Sequence, residues 1–363
     1  MSNIAQLWNK INTSIINSPR QMPTTVAIPR DHIDENQAGA PEWNFKKDQH
    51  YFQVIINEMF LVNSRQWFNQ IDPVVYIVSE FIYNGQPQIV PFIVGPGLVK
   101  RLGVPDEYNK GILLRNTNVS GIRPYRGGGL TLTVVLCQSN NNLLRPLLDM
   151  IESVSSALDF SPVLAPYMKI ANVLMDGFQM LYDSNGVTPV VGLRDSYGPS
   201  VNVPFQPGYY ALIDASAIDS KQLWVVDRQL KVGSTLETAV PFRSADYVLY
   251  SISNPVDNTR DDIDTLPFGD IWERVKKEAA TPVDDPDYKN AKIMMVNLYQ
   301  NIVLSPDLTE PQADTLADSF KDRMVAIHQR AVSLGLMGGE EGVEEDNRAV
   351  SARKNALDIL DLG

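Results

Sequence analysis

Cysteine and histidine are nearly absent from this sequence. Its 363 residues hold one cysteine, Cys137, and three histidines, His32, His50 and His328. A single thiol excludes an internal disulfide and fits a reducing compartment. So few soft ligands, so widely scattered, exclude the usual structural zinc patterns. No run of 18 or more apolar residues occurs, which argues against a transmembrane helix. The stretch from Met1 to Ile16 is interrupted by Gln6, Asn9 and Lys10 and is followed by no small-residue cleavage site, so it does not read as a signal peptide. The expected location is the cytoplasm.

Positive charge is also scarce. The 43 acidic and 31 basic residues leave a formal charge of −12, a field of the wrong sign for a phosphate backbone or an anionic membrane. The strongest basic group, Arg115, Arg123 and Arg126 around a turn, has only Tyr125 as a stacking partner. Neither nucleic acid nor membrane is expected as a partner.

Catalytic signatures are missing in the same way. There is no G-x-S-x-G elbow and no Walker-type phosphate loop. Gly95-Pro96-Gly97 follows a strand pattern, but the third glycine of a dinucleotide fingerprint would fall on Lys100, and Pro96 removes an amide. Asp257, Asp261, Asp262 and Asp264 cluster in one segment, and Asp284, Asp285 and Asp287 in another. They lack EF-hand spacing and read as solvated loops. Cys137, at a strand end in an apolar context, reads as a buried structural thiol. The expectation is a non-enzymatic chain with no catalytic residue, metal or cofactor.

What is present is a globular composition, 44% hydrophobic, in a length that suggests roughly two domains. Residues 1–50 read as an amphipathic helix, with Ile4, Leu7, Trp8, Ile11 and Ile15 at helical spacing, followed by an extended arm carrying Pro19, Pro23, Pro29 and Pro41. Residues 51–255 read as β-rich. Strands are expected over Tyr51–Val62, Val74–Tyr83 and Gln88–Val94, the last two joined by a positive-φ hairpin turn at Asn84-Gly85. Ile112–Ile122 and Leu130–Cys137 are expected to pair as a hairpin around Gly127, Gly128 and Gly129. Further strands are expected at Pro189–Arg194, Tyr209–Ile213, Leu223–Val232 and Tyr247–Ser253.

A helical pair over 143–182 interrupts the strands. One stripe runs through Leu144, Leu147, Leu148, Ile151, Val154 and Leu158, the other through Tyr167, Ile170, Leu174, Phe178 and Leu181. Residues 256–336 carry three helical patterns, marked by Ile271, Trp272, Val275 and Ala279; by Tyr288, Ala291, Met295, Leu298 and Ile302; and by Leu316, Phe320, Ile327 and Leu334 behind a Thr309/Gln312 capping box. Residues 337–347 form an acidic, glycine-rich linker, and 348–363 a final helix with Val350, Ala356, Leu357 and Leu360. The fold class is therefore α+β: an antiparallel β-sandwich-like region with an inserted helical pair, followed by a helical region.

One set of segments resembles a known group. Pro207-Gly208-Tyr209-Tyr210-Ala211-Leu212-Ile213, Leu223-Trp224-Val225-Val226-Asp227, Ala245-Asp246-Tyr247-Val248-Leu249, Arg260-Asp261-Asp262 and Leu266-Pro267-Phe268 resemble uncharacterised bacterial accessory proteins of multi-gene effector or defence systems, some beside caspase-like proteases. The resemblance covers about a third of the chain and carries no catalytic residue. It implies an accessory or regulatory subunit.

Three functions fit these observations. The first is an interaction or scaffold subunit that binds a protein partner through its ends, with Ile4, Leu7, Trp8, Ile11, Leu357 and Leu360 as candidate contact residues. Deleting residues 1–45 or 338–363 should then leave the core folded and abolish assembly. The second is a self-assembling structural protein with swapped N-terminal arms. The third is a membrane-acting effector that uses residues 143–182 after cleavage near Gly338 to Asp346.

Overall fold

The computed structural model describes residues 2–18, 23–34, 44–63, 65–66, 69–101, 112–139, 144–156, 164–198, 204–216, 218–255, 268–281 and 288–337. The chain divides into two units, 1–258 and 259–363. In the first, the elements are α1 (Ser2–Ile16), β1 (Thr24–Ala27), β2 (Tyr51–Phe60), β3 (Arg65–Gln66), β4 (Asn69–Gln70), β5 (Asp72–Tyr83), β6 (Gln86–Val94), α2 (Pro96–Arg101), β7 (Ile112–Asn118), β8 (Arg123–Pro124), β9 (Leu130–Ser139), α3 (Arg145–Ser156), α4 (Leu164–Asp183), β10 (Thr188–Tyr197), β11 (Gly208–Ile213), β12 (Leu223–Val226), β13 (Gln229–Val232), β14 (Val240–Pro241) and β15 (Tyr247–Ser253). The second unit holds α5 (Gly269–Ala279), α6 (Lys289–Val303) and α7 (Glu310–Met337). The α+β class and the order of its parts agree with the sequence pattern.

Two antiparallel sheets share one core. The larger has the order β1-β11-β15-β2-β7, with β8 also on β2; the smaller has the order β10-β9-β5-β6. Alternation along each strand sends one set of side chains between the sheets. Phe52, Val54 and Ile56 of β2 meet Ile77, Phe81, Leu132 and Val134 of the smaller sheet in a single apolar cluster. Tyr197 of one sheet and Tyr250 of the other join hydroxyls across that core at 2.6 Å.

The outer face of each sheet is covered as well. Tyr76 of β5 stacks on Phe178 of α4 at 3.8 Å, so the inserted helices are part of the core. A three-stranded sheet, β12-β13-β14, packs Leu223, Val225 and Leu230 against Tyr209, Ala211, Tyr247 and Leu249 of the larger sheet.

Two expected pairings differ. Leu223–Val232 is a hairpin and not one strand, because Asp227 and Arg228 both adopt positive φ (51° and 63°). Trp224 therefore lies opposite Lys231, and Trp224 and Val232, which a single strand would put on one side, fall on opposite faces. β7 and β9 likewise do not pair. β7 lies against β2 and β9 between β5 and β10, so the glycine-rich stretch carries the chain from one sheet to the other. Ile112, Leu114 and Thr117 of β7 are buried, as is most of β9, and apolar pattern alone cannot choose between two available sheets.

The N-terminal segment belongs to this body. Thr24–Ala27, expected as part of an extended arm, is an edge strand on β11. α1 lies on β10, where Gly192 lets it come close: a Cβ at that position would sit 2.8 Å from Ile15 Cδ1 and 3.3 Å from the Trp8 ring. Ile4, Leu7, Ile11 and Ile15 are buried, and Trp8 packs half-buried beside them. Removing residues 1–45 thus removes core side chains along with the arm. Ile11→Val should cost about 1 kcal/mol in urea unfolding, whereas Ile16→Val, at a side chain 52% exposed, should leave the midpoint unchanged. Equal effects would mean that α1 does not stay on β10.

Candidate functional site

The candidate face lies on the second unit, 259–363. α5, α6 and α7 pack together around Trp272, Val275, Met295, Leu298, Ile302, Leu316, Phe320 and Met324. Trp272 and Phe320 lie 4.5 Å apart, and the Arg323 guanidinium covers the Trp272 ring at 5.2 Å. Tyr288, at φ 34° before α6, stacks on His328 of α7 at 3.9 Å, which sets the start of α6 beside the middle of α7. The inner stripe of α7 differs from the expected one. Met324 and His328 take buried positions, Ile327 is half-buried, and Leu334 is exposed.

α6 has more apolar residues than its buried side needs. Ala291, Met295, Leu298 and Ile302 face inward. Ile293, Val296, Tyr299, Val303 and the adjoining Leu304 are between 44% and 79% exposed. At 3.6 residues per turn these five positions fall in one arc opposite the buried stripe, interrupted by Gln300. Lys289 and Lys292 stand at its N-terminal end, and the helix carries no acidic residue. Isolated exposed apolar side chains are ordinary on protein surfaces, and a run of them along one side of a helix makes that side a candidate contact face. A helix apolar on both sides is one that expects cover on both.

The sequence-derived contact residues are placed otherwise. Ile4, Leu7 and Ile11 are occupied against β10 of their own chain, with Trp8 beside them. Leu357 and Leu360 lie outside the described residues, as do the acidic segments around Asp261 and Asp285. The signal that was legible and missed is the surplus at 293, 296, 299, 303 and 304. A single stripe through Tyr288, Ala291, Met295, Leu298 and Ile302 leaves those residues unexplained.

No family model, curated protein or solved structure matches the chain.

The groups that carry chemistry elsewhere are engaged in packing. Cys137 is fully buried, and burial pushes its thiol well above the ordinary range. His32 lies flat on Trp224 at 3.9 Å and donates from Nδ1 to the Leu223 carbonyl. His50 Nδ1 accepts from the Lys46 amide. Two arginines of the basic group are engaged within the fold. Arg123 is buried with Nε donating to the Ser120 carbonyl, and Arg126 pairs with Asp48 at 2.9 Å. Among the described residues no group of three or more potential metal ligands assembles, and no helix is long and apolar enough to cross a membrane.

Two buried carboxylates remain. Glu58, on β2, accepts from the Leu230 amide at 2.8 Å and pairs with Arg243 at 3.0 Å. Burial raises its pKa in spite of those partners. Glu152, on α3, accepts from the Leu98 amide at 2.7 Å, and its other oxygen, Oε1, has no hydrogen-bond partner. Gly95 and Gly97 make room for it. A Cβ on Gly97 would fall 2.6 Å from its Oε2, and one on Gly95 closer still to Oε1. Burial first, and Asp149 second among the groups that raise it, push the Glu152 carboxyl up to about 7. Both carboxylates hold separate segments together, a role that needs no substrate.

Proposed function

We propose that this chain is a non-enzymatic interaction subunit of a multi-protein assembly, working in the cytoplasm, and that the outer face of α6 is where its partner packs. One observation carries the reading: the apolar stripe Ile293, Val296, Tyr299, Val303 and Leu304, uncovered among the described residues along a helix without acidic residues. The engagement of Cys137, His32 and His50 in packing supports a non-catalytic role. The resemblance of the segments around Tyr209, Trp224 and Tyr247 supports an assembly of the bacterial effector or defence type, with this chain as an accessory or regulatory component. The test is co-expression with the products of the neighbouring coding sequences, with complex mass read by light scattering. Val296→Glu should weaken the complex at least tenfold and leave the thermal midpoint unchanged, because the side chain already faces water. An unaltered complex would remove α6 as the contact.

A second reading is self-assembly through swapped N-terminal segments. It is favoured by the placement of α1 on β10, an edge strand of the smaller sheet, and of β1 at the edge of the larger sheet, on β11. Light scattering over a hundredfold concentration range separates the two: a constant monomeric mass excludes swapping.

A further inference from the structure

The exposed side of α6 has the spacing of a helix-pairing seam. Lys289, Ile293, Val296, Gln300 and Val303 follow one another at intervals of four, three, four and three, the alternation by which one helix lays its side chains between those of another. All of these residues are exposed, and they centre on the side opposite Ala291, Leu298 and Ile302. Tyr299 and Leu304 flank the seam, one on each side.

Such a seam fits a helix that carries the same spacing, and a second copy of α6 does. The pattern is symmetric about Leu298: Ile293 and Val303 stand five residues to either side, Val296 and Gln300 two. An antiparallel copy therefore sets Ile293 against the other Val303 and Val296 against the other Gln300, the self-complementary contact that a two-fold axis requires. The two Gln300 residues lie about 6 Å apart along the pair. Their amides can meet across the axis, and a polar residue within an apolar seam fixes register.

Charge sets the direction. Lys289 and Lys292 stand in the first turn of α6, and the helix has no acidic residue. Two parallel copies would crowd four ammonium groups at one end. Two antiparallel copies place each lysine pair beside the last turn of the other helix, where carbonyls and the macrodipole present negative charge.

We infer that the chain forms a two-fold symmetric dimer by antiparallel packing of α6 on α6 of a second copy. The inference rests on the reading of that face as a contact surface and names its occupant. A strip of fifteen helical residues, about 22 Å long, makes a small interface, so the dimer dissociates on dilution.

Disulfide trapping in the full chain tests the arrangement, since Cys137, the sole native cysteine, is buried. Ile293→Cys mixed with Val303→Cys should link the two variants at least ten times faster than Ile293→Cys links to itself, because like positions stand about 15 Å apart along the antiparallel pair. Faster linking of Ile293→Cys to itself, equal rates or no link overturn the inference. Light scattering of the unaltered chain should show the mass rising from one copy to two over a hundredfold range of concentration, and Val296→Glu should hold it at one. A constant single mass overturns the inference, and so does a dimer that survives Val296→Glu, which is the result that swapped N-terminal segments require. The contact-surface reading fails separately, if Val296→Glu leaves the co-expressed complex intact. A complex sensitive to Val296→Glu, formed by a chain that is monomeric alone, removes only the second copy.

Discussion

Glu58→Ala should lower unfolding free energy by about 3 kcal/mol, a large loss for a single substitution. Glu58 has no exposed surface, and its position follows from a break in strand alternation. Phe52, Val54 and Ile56 point between the two sheets, and a regular strand would send residue 58 the same way. The register of β2 shifts at this point against both neighbours, between Ile56 and Glu58 on the β7 side and between Leu249 and Tyr250 on the β15 side. The bulge returns Met59 to the inner cluster and aims Glu58 outward with Phe60. There its carboxylate accepts from the Leu230 amide of the hairpin and from Arg243, which also donates to the Tyr247 hydroxyl and lies over Phe60 at 4.8 Å.

Removing the carboxylate leaves the Leu230 amide without its acceptor and takes the Glu58 oxygen from a guanidinium that still donates to the Phe242 carbonyl and the Tyr247 hydroxyl. The cost stays near the low end for a broken buried pair, because the Arg243 side chain is 22% exposed and can turn to water. Urea unfolding measures it. A loss under about 1 kcal/mol would mean that apolar packing alone holds the three-stranded sheet in place. Glu58→Gln, which keeps an acceptor for the Leu230 amide, should lose less than half as much.

Glu152→Gln should do the opposite and stabilise the protein by about 3 kcal/mol at pH 8, with little effect near pH 4.5. In the unfolded chain this carboxyl ionises near its ordinary 4.5; in the folded protein burial raises it to about 7. Between those values the folded state keeps a proton that the unfolded state has lost. Raising pH through the window therefore removes stability, at about 1.4 kcal/mol for each pH unit crossed. Below the window both states are protonated, and above it the full penalty is present. Glutamine still accepts from the Leu98 amide and never ionises, so its advantage appears as pH rises from 5 to 7 and then levels off. Thermal midpoints of the two proteins across pH 4.5 to 8 would show it. A gap independent of pH would place the cost elsewhere than in ionisation. Glu58, also raised by burial, contributes pH dependence of the same sign, and Glu58→Ala measured at pH 5 and pH 8 separates the two.

Much of the fold was legible because its signals are local. Asn84-Gly85 turns at positive φ as its residue types require, with φ of 50° and 70°. The stripe residues from Leu147 to Val154 and from Tyr167 to Leu181 fall within α3 and α4, and Leu158 lies outside the described residues. Leu130, Leu132, Val134 and Leu136 share the face that enters the core between the sheets, while Val135 and Cys137 lie under the helices. The bulge in β2 left a trace as well, since apolar residues at 52, 54 and 56 followed by 59 change phase. The turn at Asp227-Arg228 did not stand out, because neither residue is glycine and the flanking residues alternate as one strand would.

Composition and periodicity by themselves determined the class of fold, the order of its parts and the scarcity of cysteine and histidine. Those properties depend on residue type and on spacing within a few turns. Tertiary structure decided which sheet each strand joins, that α1 is part of the core, and that a second apolar stripe on α6 is left over once its neighbours have packed. Pairing and exposure are set by what lies on the far side of each element. Ile11 and Ile293 carry the same side chain at the same helical spacing, and only the presence of Gly192 beneath one helix and the absence of any cover over the other among the described residues separate a buried residue from an exposed one.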